Sequence, residues 1–317
     1  MNKKRKQIIE SNEISEVCTA DLGGYPQKIM LDGKSKSNPV VICLHGGPGT
    51  PIPFSVGCRG MFPDITEKVT LVCWDQLGCG INNHVIDDTF GIRDFITMTV
   101  DLIKEVHRKF PCNKIYLFGM SWGSILAARA AEAVPDLING VVTCGQVLCN
   151  MTFNEEVFSA LENSSMSNGK KRKLQEIKTD RSIENARTIM GWIKKYTEGY
   201  ICKSGEKAPI GDAIKGLMTS PDYKFKDFKA VMINGYMKNT SLIRQLTDCD
   251  LQTVLSKISV PYTIIQGETD IVTSTSMLDK FISESENQNL KLTIIKNCGH
   301  FPDKKALEAV FHCFSSF

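Results

Sequence analysis

The chain has 317 residues, of which 42% are apolar and 23% charged, and its formal net charge is +3. These values suit one large globular α/β domain, or a core carrying an inserted lid, and the near balance of charge implies no strongly charged partner. Two basic clusters, Lys3-Lys4-Arg5-Lys6 and Lys170-Lys171-Arg172-Lys173, lack interleaved aromatics, so they read as a disordered tip and a solvated helix face and no nucleic-acid partner is expected.

No apolar run reaches membrane-spanning length, and Gln7 to Glu16 is polar where a signal peptide would be apolar. No membrane association is expected. The twelve cysteines form no C-x-x-C pair, and Cys43, Cys73, Cys144 and Cys298 fall in or beside strand-like runs. Reduced thiols in a cytoplasmic protein, without structural zinc, are the expectation.

Residues 1–15 read as a frayed lead-in. Glu16 to Met30 carries Gly23-Gly24 between β-compatible stretches and predicts a hairpin. Pro39 to Leu44 is a continuous apolar run of the buried-strand type, ending in His45-Gly46-Gly47-Pro48-Gly49. Glycines at a strand end leave backbone N–H groups unobstructed, as an oxyanion hole requires. His45 reads as a loop-fixing histidine. Val69 to Trp74 is a second such strand, followed by Asp75-Gln76-Leu77-Gly78-Cys79-Gly80. Arg93 to Phe110 places Phe95, Met98, Leu102, Val106 and Phe110 on one helical face.

Ile115 to Phe118 then runs into Gly119-Met120-Ser121-Trp122-Gly123, and Ser124, Ala127, Ala128, Ala130 and Ala131 follow. Strand, sharp G-x-S-x-G turn and small-residue helix are the pattern of a nucleophile elbow with Ser121 at its tip. Gly140 to Val147 is the next strand, with Gln146 near its carboxyl end.

From residue 150 to 257 glycine-terminated strands vanish. Helix-length segments replace them: Phe153–Asn163, Lys170–Lys178, Ser182–Tyr196, Phe225–Lys238 and Asp250–Ile258. This block predicts a helical cap inserted into a core formed by residues 1–149 and 258–317. Strand–helix alternation resumes at Val260 to Ile265, leading to Gln266-Gly267-Glu268-Thr269-Asp270. Lys291 to Lys296 is the last strand, followed by Asn297-Cys298-Gly299-His300.

Ser121, Asp270 and His300 thus fall at strand ends in the chain order of an α/β-hydrolase triad. In that chemistry Ser121 is the nucleophile and His300 the base. Asp270 orients the imidazole. Glu268 and Asp250 are the other acids to weigh, and Asp270 is the better placed. The oxyanion donors would be the N–H groups of Trp122 and Gly47, with Gly46 in reserve. Such chemistry needs no metal or organic cofactor.

The segments HGGPG at 45–49, WDQLGCG at 74–80 and GMSWGS at 119–124 resemble the proline iminopeptidase group of α/β-hydrolases. The resemblance covers residues 39–150 and 258–302. It implies a mostly parallel central sheet flanked by helices, with an inserted helical cap, and first suggests an N-terminal aminopeptidase acting on a small or short-peptide substrate. Leu77 stands where that group usually has arginine. The cap segments that bind the substrate's amine in that group are matched loosely here, by Trp192 to Glu198 and by Ile233 to Met237. Gln146, Trp192, Glu198 and Tyr236 are the substrate-binding candidates. An isoleucine, Ile233, falls where an amine-pairing acid would stand, and losing such a charge-assisted contact costs about 1.5–3 kcal/mol. An esterase, lactonase or amidase for an uncharged small molecule is therefore the alternative. A non-catalytic binding protein of the same fold is the third reading.

Overall fold

A computed structural model describes residues 3–207 and 210–316. Its eight strands are β1 (Ile14–Leu22), β2 (Tyr25–Gly33), β3 (Val40–Leu44), β4 (Thr70–Trp74), β5 (Ile115–Met120), β6 (Gly140–Cys144), β7 (Tyr262–Gly267) and β8 (Leu290–Ile295). They form one sheet in the order β1-β2-β4-β3-β5-β6-β7-β8. β1 and β2 form the expected hairpin, turning at Gly23 and Gly24 with φ of 63° and 80°. Two consecutive left-handed residues match the right-handed strand twist, and glycine adopts them without a Cβ penalty. β2 pairs antiparallel with β4, and every later pairing is parallel.

The central strands β3, β4, β5 and β6 are buried at every position. That is why they read as unbroken apolar runs: both faces of a parallel sheet are covered. Alternation still sorts the side chains. Val40, Ile42 and Leu44 enter one core cluster, whereas Val41 and Cys43 enter the cluster on the opposite face.

The helices are α1 (Lys3–Ser11), α2 (Pro63–Thr66), α3 (Ile92–Lys109), α4 (Trp122–Ala133), α5 (Glu155–Glu162), α6 (Asn168–Ile177), α7 (Ile183–Tyr196), α8 (Ile210–Met218), α9 (Phe225–Met232), α10 (Thr240–Thr247), α11 (Gln252–Lys257), α12 (Thr275–Glu284) and α13 (Lys304–Ser315). α3 and α4 cover the Val40–Leu44 face through Phe95, Leu102, Ile125 and Ala128, and α13 covers the other through Val310 and Phe314. Between β6 and β7 the described chain has no strand, and α5 to α7 build their own apolar cluster, which includes Ile271 and Val272 beside Asp270.

Two expectations change. The N-terminal lead-in is the helix α1, not a frayed tip, because the Arg5 guanidinium donates to the carbonyls of Arg59, Gly216 and Gly57 at 2.7, 2.6 and 2.7 Å. Helices α8 and α10 also appear in stretches outside the helix-length segments read from the sequence. No described helix is long and apolar enough to cross a membrane, and all twelve cysteines are free thiols.

Candidate active site

The site lies at the carboxyl ends of β3, β5, β7 and β8. Ser121 sits between β5 and α4 with φ 50° and ψ −115°. A non-glycine residue there carries about 1–3 kcal/mol of backbone strain, which the surroundings must hold. They do so by close packing. A Cβ on Gly119 would come within 2.6 Å of the Gly123 carbonyl oxygen, and one on Gly123 would overlap the carbonyl of Leu44. The Ser121 N–H donates to the Cys144 carbonyl at 2.9 Å, fixing the turn to β6.

Ser121 Oγ lies 2.9 Å from His300 Nε2, and His300 Nδ1 lies 2.9 Å from Asp270 Oδ2. The imidazole donates from Nδ1 to the carboxylate, which leaves Nε2 to accept the serine hydroxyl. Asp270 is fully buried. It also accepts from the N–H groups of Val272 (2.8 Å) and Thr273 (3.0 Å), from Thr273 Oγ1 (2.7 Å) and from Gln266 Nε2 (3.1 Å). Its orientation is thus fixed independently of the histidine. Residues from the helical segment hold His300 in turn. Its N–H donates to the Gly199 carbonyl at 2.9 Å, and its ring lies 5.8 Å from that of Tyr200. The other two acids are engaged elsewhere: Glu268 accepts from the N–H of Asn297, and Asp250 from that of Gln252.

The glycine loop is held from beneath. His45 is buried, lies with Nδ1 2.9 Å from the Gly46 carbonyl, and accepts the Gln76 N–H at Nε2 at 3.0 Å. Burial lowers its pKa to about 4, so it is a neutral ring with a fixed tautomer. Gln76 bridges onward: its amide donates to the His45 carbonyl at 3.2 Å and accepts Trp122 Nε1–H at 2.6 Å. The loop after β3 and the start of α4 are therefore one bonded unit. Among the described residues neither the Gly47 nor the Trp122 backbone N–H has a backbone acceptor, and the Gly46 carbonyl accepts the Thr50 N–H at 3.1 Å, closing the loop. Asp75 is also buried. It accepts from Val56 and Ile81 N–H groups, each at 2.9 Å, and from the Tyr223 hydroxyl. Burial raises its pKa to about 6.

A cavity of about 290 Å³ opens over Ser121 and His300. Its walls include Gly46, Gly47, Met120, Met151, Met190, Lys194, Tyr200, Val272 and Phe301. None of the four expected substrate-binding side chains is in that wall. Gln146 is consumed by the fold, accepting the Tyr262 hydroxyl at 2.8 Å and donating to the Val147 carbonyl at 2.7 Å. Trp192 packs against the cluster of α5 to α7. The Glu198 carboxylate accepts the Cys202 thiol at 3.2 Å. Tyr236 is buried against Phe95, with ring centroids 5.4 Å apart. Ile233 is 61% exposed, so it does not shape the cavity either. Leu77 belongs to the apolar core.

The sequence reading did not single out Lys194, Tyr200 or the three methionines. The one available signal was the helical spacing of Met190 and Lys194, which puts them on one face of α7 without saying what that face meets.

Comparison with known proteins agrees with this architecture. A family model for the alpha/beta hydrolase fold matches residues 39–302. The chain is 24% identical over 306 residues to the probable aminopeptidase YbaC of Bacillus subtilis (strain 168), covering 93% of each. It is 37% identical over 116 residues to the proline iminopeptidase of Neisseria gonorrhoeae, covering 34% of this chain and 33% of that one. The crystal structure of the Mycobacterium smegmatis proline iminopeptidase superposes with a TM-score of 0.63 at 16% identity, covering 95% of this chain and 97% of that one. Matched over most of its length and built on the same sheet, the chain belongs to the α/β-hydrolase fold family.

Proposed function

We propose that the protein is a serine hydrolase that cleaves a small ester or amide through an acyl-enzyme. The observation that carries this reading is the unbroken hydrogen-bond series from Ser121 through His300 to Asp270. Ser121 Oγ attacks the carbonyl carbon while its proton passes to His300 Nε2. The oxyanion is stabilised by the Gly47 and Trp122 N–H groups. Collapse expels the leaving group with the proton from His300. A water molecule, deprotonated by the same nitrogen, then releases the acid and regenerates the serine. Residues 150–257 act as a cap, holding His300 through Gly199 and Tyr200 and supplying Met190 and Lys194 to the cavity.

Two substrate readings divide on the cavity wall. The names of the relatives favour an aminopeptidase of the proline iminopeptidase type. The wall favours an ester or amide without a free amine, because among the described residues no aspartate or glutamate lines it to pair an ammonium. Fluorophosphonate labelling tests the mechanism: wild type takes one label per chain and Ser121→Ala takes none. Turnover of proline p-nitroanilide beside short p-nitrophenyl esters tests the substrate. A rate on the anilide exceeding that on every ester selects the aminopeptidase.

A further inference from the structure

Building on the serine-hydrolase reading, we propose that Lys194 makes this cleft selective for a small ester or amide carrying a carboxylate near the scissile carbonyl.

Lys194 stands one helical turn beyond Met190 on α7, and both side chains reach the cavity that holds Ser121. Its ammonium lies 4.3 Å from the centroid of the Tyr200 ring, and that ring is 5.8 Å from the ring of His300. The cation is therefore no farther from the imidazole than those two spans laid end to end. Partial burial lowers the pKa of this amine from the usual lysine value, and no neighbouring carboxylate offsets the effect. Among the described residues Lys194 joins none of the ion pairs. A partly dehydrated cation held on an aromatic face, in a cavity walled largely by apolar side chains, is half of an ion pair.

The ligand must bring the other half, and the wall narrows its kind. Among the described residues no arginine and no second lysine line the cavity, so one charge is offered, which suits a carboxylate better than a phosphate dianion. A free amine would face a like charge with no carboxylate to offset it. The volume of about 290 Å³ admits only a short acyl or amine portion.

Mono-p-nitrophenyl glutarate and p-nitrophenyl valerate test this directly, since they differ only by a carboxylate in place of the terminal methyl. Wild type is expected to favour the glutarate ester in kcat/KM by about 10-fold or more. Lys194→Met should cut that preference ratio by about 10-fold or more, chiefly through KM, and Lys194→Arg should restore most of it. A merely structural lysine would lower both rates together and leave the ratio unchanged. An unchanged ratio in Lys194→Met, or a wild type without preference for the glutarate ester, overturns the inference. Fluorophosphonate labelling of the same preparations separates the two levels. Labelled Ser121 without a carboxylate preference removes only the role of Lys194. Absent labelling together with absent ester turnover removes the hydrolase reading as well.

Discussion

The Tyr223 hydroxyl donates to the buried carboxylate of Asp75, tying the segment between β6 and β7 to the loop after β4. Tyr223→Phe deletes this donor and leaves Asp75 with the Val56 and Ile81 N–H groups alone. The expected loss is about 1–3 kcal/mol, read from the urea midpoint at neutral pH.

Asp75 and His45 should pull stability in opposite directions as pH changes. Burial raises the Asp75 pKa from 3.8 to about 6, so its contribution is complete below 3.8 and is lost as pH rises through about 6. Burial lowers the His45 pKa from 6.5 to about 4, so its contribution is complete above 6.5 and is lost as pH falls through about 4. In the wild type the two terms offset each other across this window. Relative to wild type, Asp75→Asn should lose stability more steeply on acidification, and His45→Gln should lose less, each by roughly 1–3 kcal/mol. Urea titrations at several pH values across the window measure both slopes. Parallel slopes in all three proteins would refute the pairing.

The contact between Gly123 and the Leu44 carbonyl fixes how closely α4 approaches β3. Backbone cannot move aside as a flexible side chain can. Gly123→Ala should therefore destabilise by about 3 kcal/mol or more and lower the melting temperature. Gly191, within α7, has no atom near its missing Cβ. Gly191→Ala should instead stabilise by about 0.5–1 kcal/mol.

Ser121→Ala, His300→Gln and Asp270→Asn should each reduce ester kcat by roughly 10³–10⁶-fold. The first two combined should be no worse than either alone, because nucleophile and base act as one unit. Additive losses in the double variant would argue that the two act independently. Stopped-flow bursts of p-nitrophenol check for the acyl-enzyme.

The catalytic candidates were legible because each follows an apolar run with its own punctuation. Ser121 sits between two glycines, Asp270 follows Gly267 and His300 follows Gly299. A parallel sheet collects strand ends on one edge, so chain order alone brought them together. The wall of the cavity was not legible, since it depends on how α7 is rotated. Periodicity pairs Met190 with Lys194 but cannot say that this face meets Ser121. Helix α1 was hidden for a related reason: Arg5 is anchored by carbonyls at Gly57, Arg59 and Gly216, all remote in sequence. Helix α8 carries Gly211 and Gly216, which weaken its local propensity, and packing of Leu217 into the core compensates. The substrate candidates drawn from the sequence lie outside the cavity wall: both ends of the Gln146 amide are hydrogen-bonded within the fold, and the Tyr236 ring is packed against Phe95 with its buried hydroxyl left without a partner among the described residues.

β6 ends at Cys144 and β7 begins at Tyr262, yet the two lie side by side. During synthesis the glycine loop and the Ser121 turn are therefore complete while one side of β6 is still an open, apolar edge. The helices of the intervening segment emerge before the strand that closes it. Such a long-range pairing is slow to form and vulnerable to association in the interval. Refolding yield should accordingly fall as protein concentration rises, while the unfolding transition of the finished chain stays independent of concentration. On the proposed mechanism the nascent protein also remains chemically silent until almost its entire length is made, because His300, the proposed base, is the last of the three residues to arrive.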